Sequence, residues 1–287
     1  MTQIRETDPV LYASGLPTLD SGLGGGIAPG EVCVIAASTS HGKTLFGMQW
    51  ALELSRAGHP ILMVSEEMTP DNLADRGIHN ATQTDKSEWR ARWQQVYDDI
   101  IAWEAEHPGT FLLPEVPVHS ADRAADAIGQ AVRDYGIKLA VVDYIQLLDG
   151  VGTSRYEQVS YASRMLKQCA VEHNIAIIAL AQLNKTVDTI AKGIPEMFHI
   201  ADSSQIAKDA DCVLMLQWPY MTDHGYTPAN EYRIYIKKNR NRGIRGDTVL
   251  EMRIKPLRQQ IVEKELREHS NYRPEFDDYN REPAKHF

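Results

Sequence analysis

The run Val34-Ile35-Ala36-Ala37-Ser38-Thr39-Ser40-His41-Gly42-Lys43-Thr44 joins an apolar strand, a loop of small residues and a Gly-Lys-Thr that opens a helix. That is the layout of a phosphate-binding P-loop. In such a loop backbone N–H groups cradle phosphate oxygens at a helix N-terminus. Ala37, Ser38, Thr39, Ser40, His41, Gly42, Lys43, Thr44 and Leu45 would line the cradle. Lys43 would reach the terminal phosphates, and the Thr44 hydroxyl would hold Mg²⁺. Ala37 stands where the strict pattern has its first glycine. The bland alternative is a strand–helix turn that contains a glycine and binds nothing.

Four further features bear on that choice. Leu139-Ala140-Val141-Val142-Asp143 is an apolar strand ending in a carboxylate. An acid at this place in a P-loop enzyme binds Mg²⁺, and ligands of open α/β sheets sit at the carboxyl ends of strands. Glu66 and Glu67 end the strand that follows the P-loop helix. A carboxylate there could polarise a water attacking the γ-phosphate, and spacing does not choose between the two. Gln182 closes the buried run Ile177–Ala181, where an amide could contact the γ-phosphate. Lys238 and Arg240 follow a later apolar strand. An arginine placed against a neighbouring subunit's nucleotide would stabilise charge on the transferred group. Equally, the pair belongs to a basic stretch with Arg233, Lys237, Arg242 and Arg245 that could face nucleic acid.

These residues need a scaffold. The chain has 287 residues, 43% hydrophobic and 24% charged, enough for one large α/β core. Its net charge of −9 argues against a uniformly basic nucleic-acid coat while leaving the local patch open. Cys33, Cys169 and Cys212 lie far apart in apolar surroundings and read as buried thiols of a reducing compartment. No apolar run has the length of a membrane span, and residues 1–6 show no signal peptide, so the expected location is the cytoplasm. Apolar strands at 31–36, 61–65, 111–113, 139–143 and 175–181 alternate with helices at 43–56, 123–135 and 156–173. That alternation predicts an α/β fold with a mostly parallel sheet covered on both faces. Strands at 212–217, 231–238, 248–254 and 259–262 then read as antiparallel additions. Trp89, Trp93, Val96, Tyr97, Ile100 and Trp103 recur at helical spacing, and the stripe reads as a core-facing side. Residues 1–14 form a polar arm, 15–262 the main domain, and 263–287 a polar tail.

In this order and spacing the chain resembles the C-terminal, RecA-fold motor domain of the bacterial replicative helicases (DnaB-like), phage-borne relatives included. Residues 36–44 look like the family's Walker A, and Gly15-Leu16-Pro17-Thr18-Leu19-Asp20 like its entry segment. Ser65-Glu66-Glu67-Met68-Thr69-Pro70 is similar to S-L-E-M-P, which places the catalytic glutamate on Glu67. Val142-Asp143-Tyr144-Ile145-Gln146-Leu147-Leu148 is similar to V-D-Y-L-Q-L-M, and Ala179–Lys185 to A-L-S-Q-L-N-R. Ile206–Asp211 resembles I-E-Q-D-A-D, and Lys238-Asn239-Arg240-Asn241 the K-Q-R-N that carries the trans-acting lysine and arginine finger. The family's DNA loop, S-D-L-R-E-S-G, corresponds to Phe198–Ser204, with Ala201 in place of its arginine and Ser204 in place of its glycine. The resemblance implies ATP and Mg²⁺ as cofactors, a hexameric ring of identical chains, and single-stranded DNA as partner. Lys185, Lys192, Ser203 and Ser204 are the DNA-binding candidates. Primase, a helicase loader or other replisome proteins are further implied partners. The family's N-terminal domain has no counterpart before Ser14, so a ring would rest on the motor domains and the arm. A RecA/KaiC-type ATPase of recombination or signalling, and a nucleotide-switched assembly factor, are the alternatives.

Overall fold

The computed structural model describes residues 10–85, 87–107, 111–114, 118–184, 187, 194–202, 204–242 and 248–264. Among these residues nine strands form one sheet: β1 (Val32–Ala37), β2 (Ile61–Ser65), β3 (Phe111–Leu112), β4 (Leu139–Asp143), β5 (Ala176–Gln182), β6 (Cys212–Gln217), β7 (Glu231–Asn239), β8 (Thr248–Lys255) and β9 (Gln260–Glu263). Their spatial order is β3-β2-β4-β5-β1-β6-β7-β8-β9. Pairing is parallel from β3 through β6 and antiparallel from β6 to β9. The α/β class and the antiparallel extension agree with the sequence reading.

Side chains alternate across β1 and feed two cores. Cys33, Ile35 and Ala37 meet Phe46, Met48, Trp50 and Leu52 of α2 (Lys43–Arg56), with Leu19 and Leu23 of α1 (Pro17–Leu23) in the same layer. Val32, Val34 and Ala36 face the other way, onto α5 (Ala121–Tyr135) and α6 (Arg155–His173). Burial on both faces explains why the central strands read as unbroken apolar runs. The last residues of the arm join the body: Tyr12 is 3% exposed and exchanges two backbone hydrogen bonds with Ile27.

The tryptophan stripe departs from expectation. Trp89 lies in a short 3-10 helix before α4 (Trp93–Glu106), and α4 packs on the outside of α3 (Pro70–Thr82). Only Val96 of α4 is buried, whereas Trp93 and Tyr97 are about half exposed. The helical period is real, but α4 sits one layer out from the sheet, so most of its apolar stripe is not core.

Register sets the position of the chemistry. Ala37 pairs with Gln182 and Ser65 with Asp143, so the ends of β1, β2, β4 and β5 lie along one edge of the sheet. At the other edge Cys33 pairs with Cys212, and Cys212 with Asn239. Because β7 runs antiparallel to β6, Lys238 and Arg240 fall at this opposite edge. The strand length from Cys33 to Ala37 alone separates the two edges by about 13 Å.

Candidate nucleotide-binding site

The loop between β1 and α2 turns through left-handed backbone at Ser40 (φ 65°) and Gly42 (φ 84°). A side chain at Gly42 would meet the Tyr232 hydroxyl 3.1 Å from its Cβ, so glycine is needed there for both space and conformation. The loop is anchored from the β6–β7 side. Tyr232 Oη donates to the His41 carbonyl at 2.6 Å, and Trp218 N donates to His41 Nδ1 at 3.1 Å. The His41 ring is buried and held against the end of β6, not open beside the phosphate cradle as the sequence suggests. Burial pushes the Tyr232 phenol well above its ordinary range, so it stays a neutral donor. Tyr232→Phe removes this buried donor and is expected to cost about 0.5–1.5 kcal/mol of stability, the net worth of one such bond. Denaturant unfolding of the two proteins measures this, and an unchanged stability would show that the bond does not anchor the loop.

Around the start of α2 the predicted residues converge. Thr44 Oγ1 donates to Asp143 Oδ2 at 2.7 Å. Lys43 Nζ lies 3.5 Å from Asp143 Oδ1 and 3.2 Å from Glu67 Oε2. Its ammonium also sits 4.6 Å from the centre of the Tyr144 ring. Gln182 Nε2 donates to Thr39 Oγ1 at 2.8 Å, tying the end of β5 to the loop. Sequence reasoning gave Tyr144 no role, although it directly follows Asp143. It also missed Gln146, a buried amide in an apolar string. Gln146 Oε1 accepts from Gln182 N at 3.1 Å, and its Nε2 donates to the Gln182 and Ala201 carbonyls at 3.0 and 3.3 Å.

The two adjacent glutamates part company. Glu66 is 5% exposed at its side chain, accepts from Val118 N at 3.0 Å and pairs with His119 Nδ1 at 3.0 Å. Glu67 is 45% exposed and reaches toward Lys43. Of the two, Glu67 reaches the P-loop lysine, while Glu66 is held by Val118 and His119.

Asp143 is buried, and burial raises its carboxyl pKa, opposed by the Lys43 charge and the Thr44 hydrogen bond. Asp143 Oδ1 has no hydrogen-bond partner. A buried carboxylate oxygen whose only neighbour of opposite charge among the described residues is Lys43 at 3.5 Å, beside a threonine hydroxyl, is a hard-oxygen donor set suited to Mg²⁺, which takes one or two protein ligands and fills its octahedron with water and phosphate. Among the described residues no group of three or more His, Cys, Asp or Glu could hold a metal by itself.

Lys238 and Arg240 are not brought to this cluster. Lys238 Nζ donates to the carbonyls of Ala207, Ala210 and Lys208 at 2.8, 2.6 and 3.3 Å, at the C-terminal end of the short helix α7 (Gln205–Asp209). Burial lowers the pKa of this ammonium. Arg240 donates to the Lys208 carbonyl at 2.8 Å and lies 3.4 Å from Asp211 Oδ1. Of the DNA-binding candidates, Lys185, Lys192 and Ser203 lie outside the described residues. Ser204 is exposed at the N-terminus of α7, and its side chain makes no capping bond.

Comparison with known proteins fits this arrangement. A family model described as the DnaB-like helicase C terminal domain matches residues 12–255. The chain is 27% identical over 255 residues to a probable plasmid replicative DNA helicase of Chlamydia psittaci, covering 85% of this chain and 55% of that one. It is 25% identical over 239 residues to the replicative DNA helicase DnaB of Pasteurella multocida, covering 80% of this chain and 51% of that one. The chain thus spans about half the length of the curated relatives it matches. A solved structure described as an ATPase domain shares the fold with a TM-score of 0.80 at 23% identity, over 91% of this chain and 94% of that one. A DnaB-like replicative helicase studied with primase gives the same TM-score and identity, over 64% of its chain. With most of its length inside one family model and its sheet, P-loop and strand-end residues in the same fold, the chain belongs to the DnaB-like helicase C-terminal domain family.

Proposed function

We propose that this chain is an ATP-dependent DNA helicase motor that hydrolyses ATP between neighbouring copies of a hexameric ring and moves along single-stranded DNA. The observation that carries the reading is the division of polar residues between two edges of one sheet. Lys43, Thr44, Glu67 and Asp143 meet at one edge, while Lys238 and Arg240 lie at the other. In this mechanism the backbone of residues 37–45 binds the phosphates, and Lys43 neutralises the terminal one. Thr44 and Asp143 would hold Mg²⁺, which when bound would neutralise charge on the phosphates. Glu67 orients the attacking water. Lys238 and Arg240 of the next subunit stabilise the transferred phosphoryl group, as an arginine finger does.

Gln182 would pass the state of the nucleotide onward. Its amide touches Thr39, and its backbone is bonded to Gln146 and to Ala201. The segment 183–204 would face DNA, with Lys185, Lys192, Ser203 and Ser204 as contacts to the phosphate backbone. Such binding falls with salt and is nearly indifferent to sequence. Primase and a helicase loader are the partners this reading brings, in the cytoplasm of a bacterial cell. Among the described residues no helix is long and apolar enough to cross a membrane.

Strand displacement on a forked DNA substrate tests the reading. Displacement is expected with ATP and Mg²⁺ and none without nucleotide. Hydrolysis that displaces no strand would favour a nucleotide-switched assembly factor instead.

A further inference from the structure

Phe198 is the most exposed large apolar side chain among the described residues, at 77%. It does not ride on a loose loop. The turn Met197–His199 is closed by mutual bonds: Glu196 N donates to His199 Nδ1 at 2.9 Å, and His199 N donates to the Glu196 carbonyl at 2.8 Å. Glu196 is fixed in turn by Lys237, with Nζ 2.8 Å from Oε1. After Phe198 the chain is tied down. His199 and Ile200 are buried, Asn184 N donates to the His199 carbonyl at 2.8 Å, and Ala201 N donates to the Gln182 carbonyl at 3.0 Å. One aromatic ring, its inner side tilted against the His199 ring with centroids 4.1 Å apart, is thus presented to solvent on a braced turn. That turn is stitched to the strand end whose Gln182 amide touches the P-loop.

Size and charge identify the occupant. Beside Phe198, among the described residues of the turn, only Met197 and Ile194 add exposed apolar surface, each less than two-fifths exposed. That tip falls far short of the ~1,000 Å² a stable protein interface needs. It matches one flat partner. Residues 194–202 hold two acids, Glu196 and Asp202, and no lysine or arginine, and the Lys237 ammonium that reaches the turn is buried against Glu196, so the turn itself does not present a cation to a phosphate. What it offers is a π face. We propose that Phe198 stacks on a base of the single-stranded DNA, giving the motor a contact to bases in addition to backbone contacts. This rests on the helicase-motor reading above. A braced ring loses little freedom on stacking, and stacking tolerates any base. Because the turn is bonded to Gln182, the stacked base would be carried by the element that contacts the nucleotide loop.

The test measures equilibrium binding, with Mg²⁺ and a non-hydrolysable ATP analogue. It uses a mixed-sequence single strand and a strand of equal length made of abasic sites. Wild type is expected to prefer the intact strand by about 5- to 150-fold, the range for one aromatic stacking contact. Phe198→Ala should lose affinity for the intact strand by a similar factor and show little preference left. Phe198→Tyr, which keeps the π face, should retain the preference. Equal wild-type binding to both strands overturns the inference alone, as does a Phe198→Ala protein that still prefers bases. Failure of wild type to bind the intact strand overturns the motor reading and this inference together.

Discussion

Arg240→Ala is expected to lower ATP turnover by about 10³- to 10⁵-fold, the range over which arginine fingers act. The loss should come without damage to the altered subunit's own P-loop, because Arg240 sits at the opposite edge of the sheet from Lys43. Complementation separates this from simple misfolding. In a mixture of Arg240→Ala and Glu67→Gln chains, some interfaces join an intact Glu67 from one parent to an intact Arg240 from the other. In a random equal mixture about a quarter of the interfaces are of that kind, so activity should return to a comparable fraction of wild type. No recovery, together with wild-type specific activity that does not fall on dilution, would mean that the site is complete within one chain.

Glu67→Gln is the second large effect. A positioned general base contributes about 10²- to 10⁴-fold, and turnover should fall by that much. Nucleotide affinity should hold, because the Thr44–Asp143 bond and the P-loop backbone are untouched. The ion pair lost with Lys43 is half exposed at Glu67, where screening leaves it little energetic weight. The neighbouring substitution is the internal control. Glu66→Gln retains an acceptor for Val118 N and lies off the nucleotide, so it should change turnover by less than about tenfold. Steady-state rates alongside binding of an ATP analogue distinguish the outcomes. A loss at Glu66 equal to or larger than that at Glu67 would move the catalytic role to Glu66.

Much of this arrangement was legible because fully buried parallel strands announce themselves. β2, β4 and β5 are apolar runs that end in Ser65, Asp143 and Gln182, and in open α/β sheets such polar strand ends mark the edge at which a site is expected. That Lys238 and Arg240 follow an apolar strand was legible, whereas the edge they occupy came only with the register of β7 against β6. Contacts between distant parts of the chain were not legible. Tyr232 supports His41 from 191 residues away, and no local pattern carries that information. Spacing alone left Glu66 and Glu67 open and the resemblance pointed to Glu67, but that Glu66 is held by Val118 and His119 is a tertiary fact. α3 carried its start signal, Thr69-Pro70, yet its buried residues are only Leu73, His79 and Asn80, too few to make a period. For α4 the period was present, and what it lacked was any statement of depth.

The separation of the two polar edges has a counting consequence. Under head-to-tail pairing, an open row of n chains holds n − 1 complete sites, with a bare cradle at one end and an unused finger at the other. Closing the row creates the missing site without adding a chain. Activity per chain then climbs with row length and steps up at closure, so a nick in the circle silences one site and leaves the rest intact.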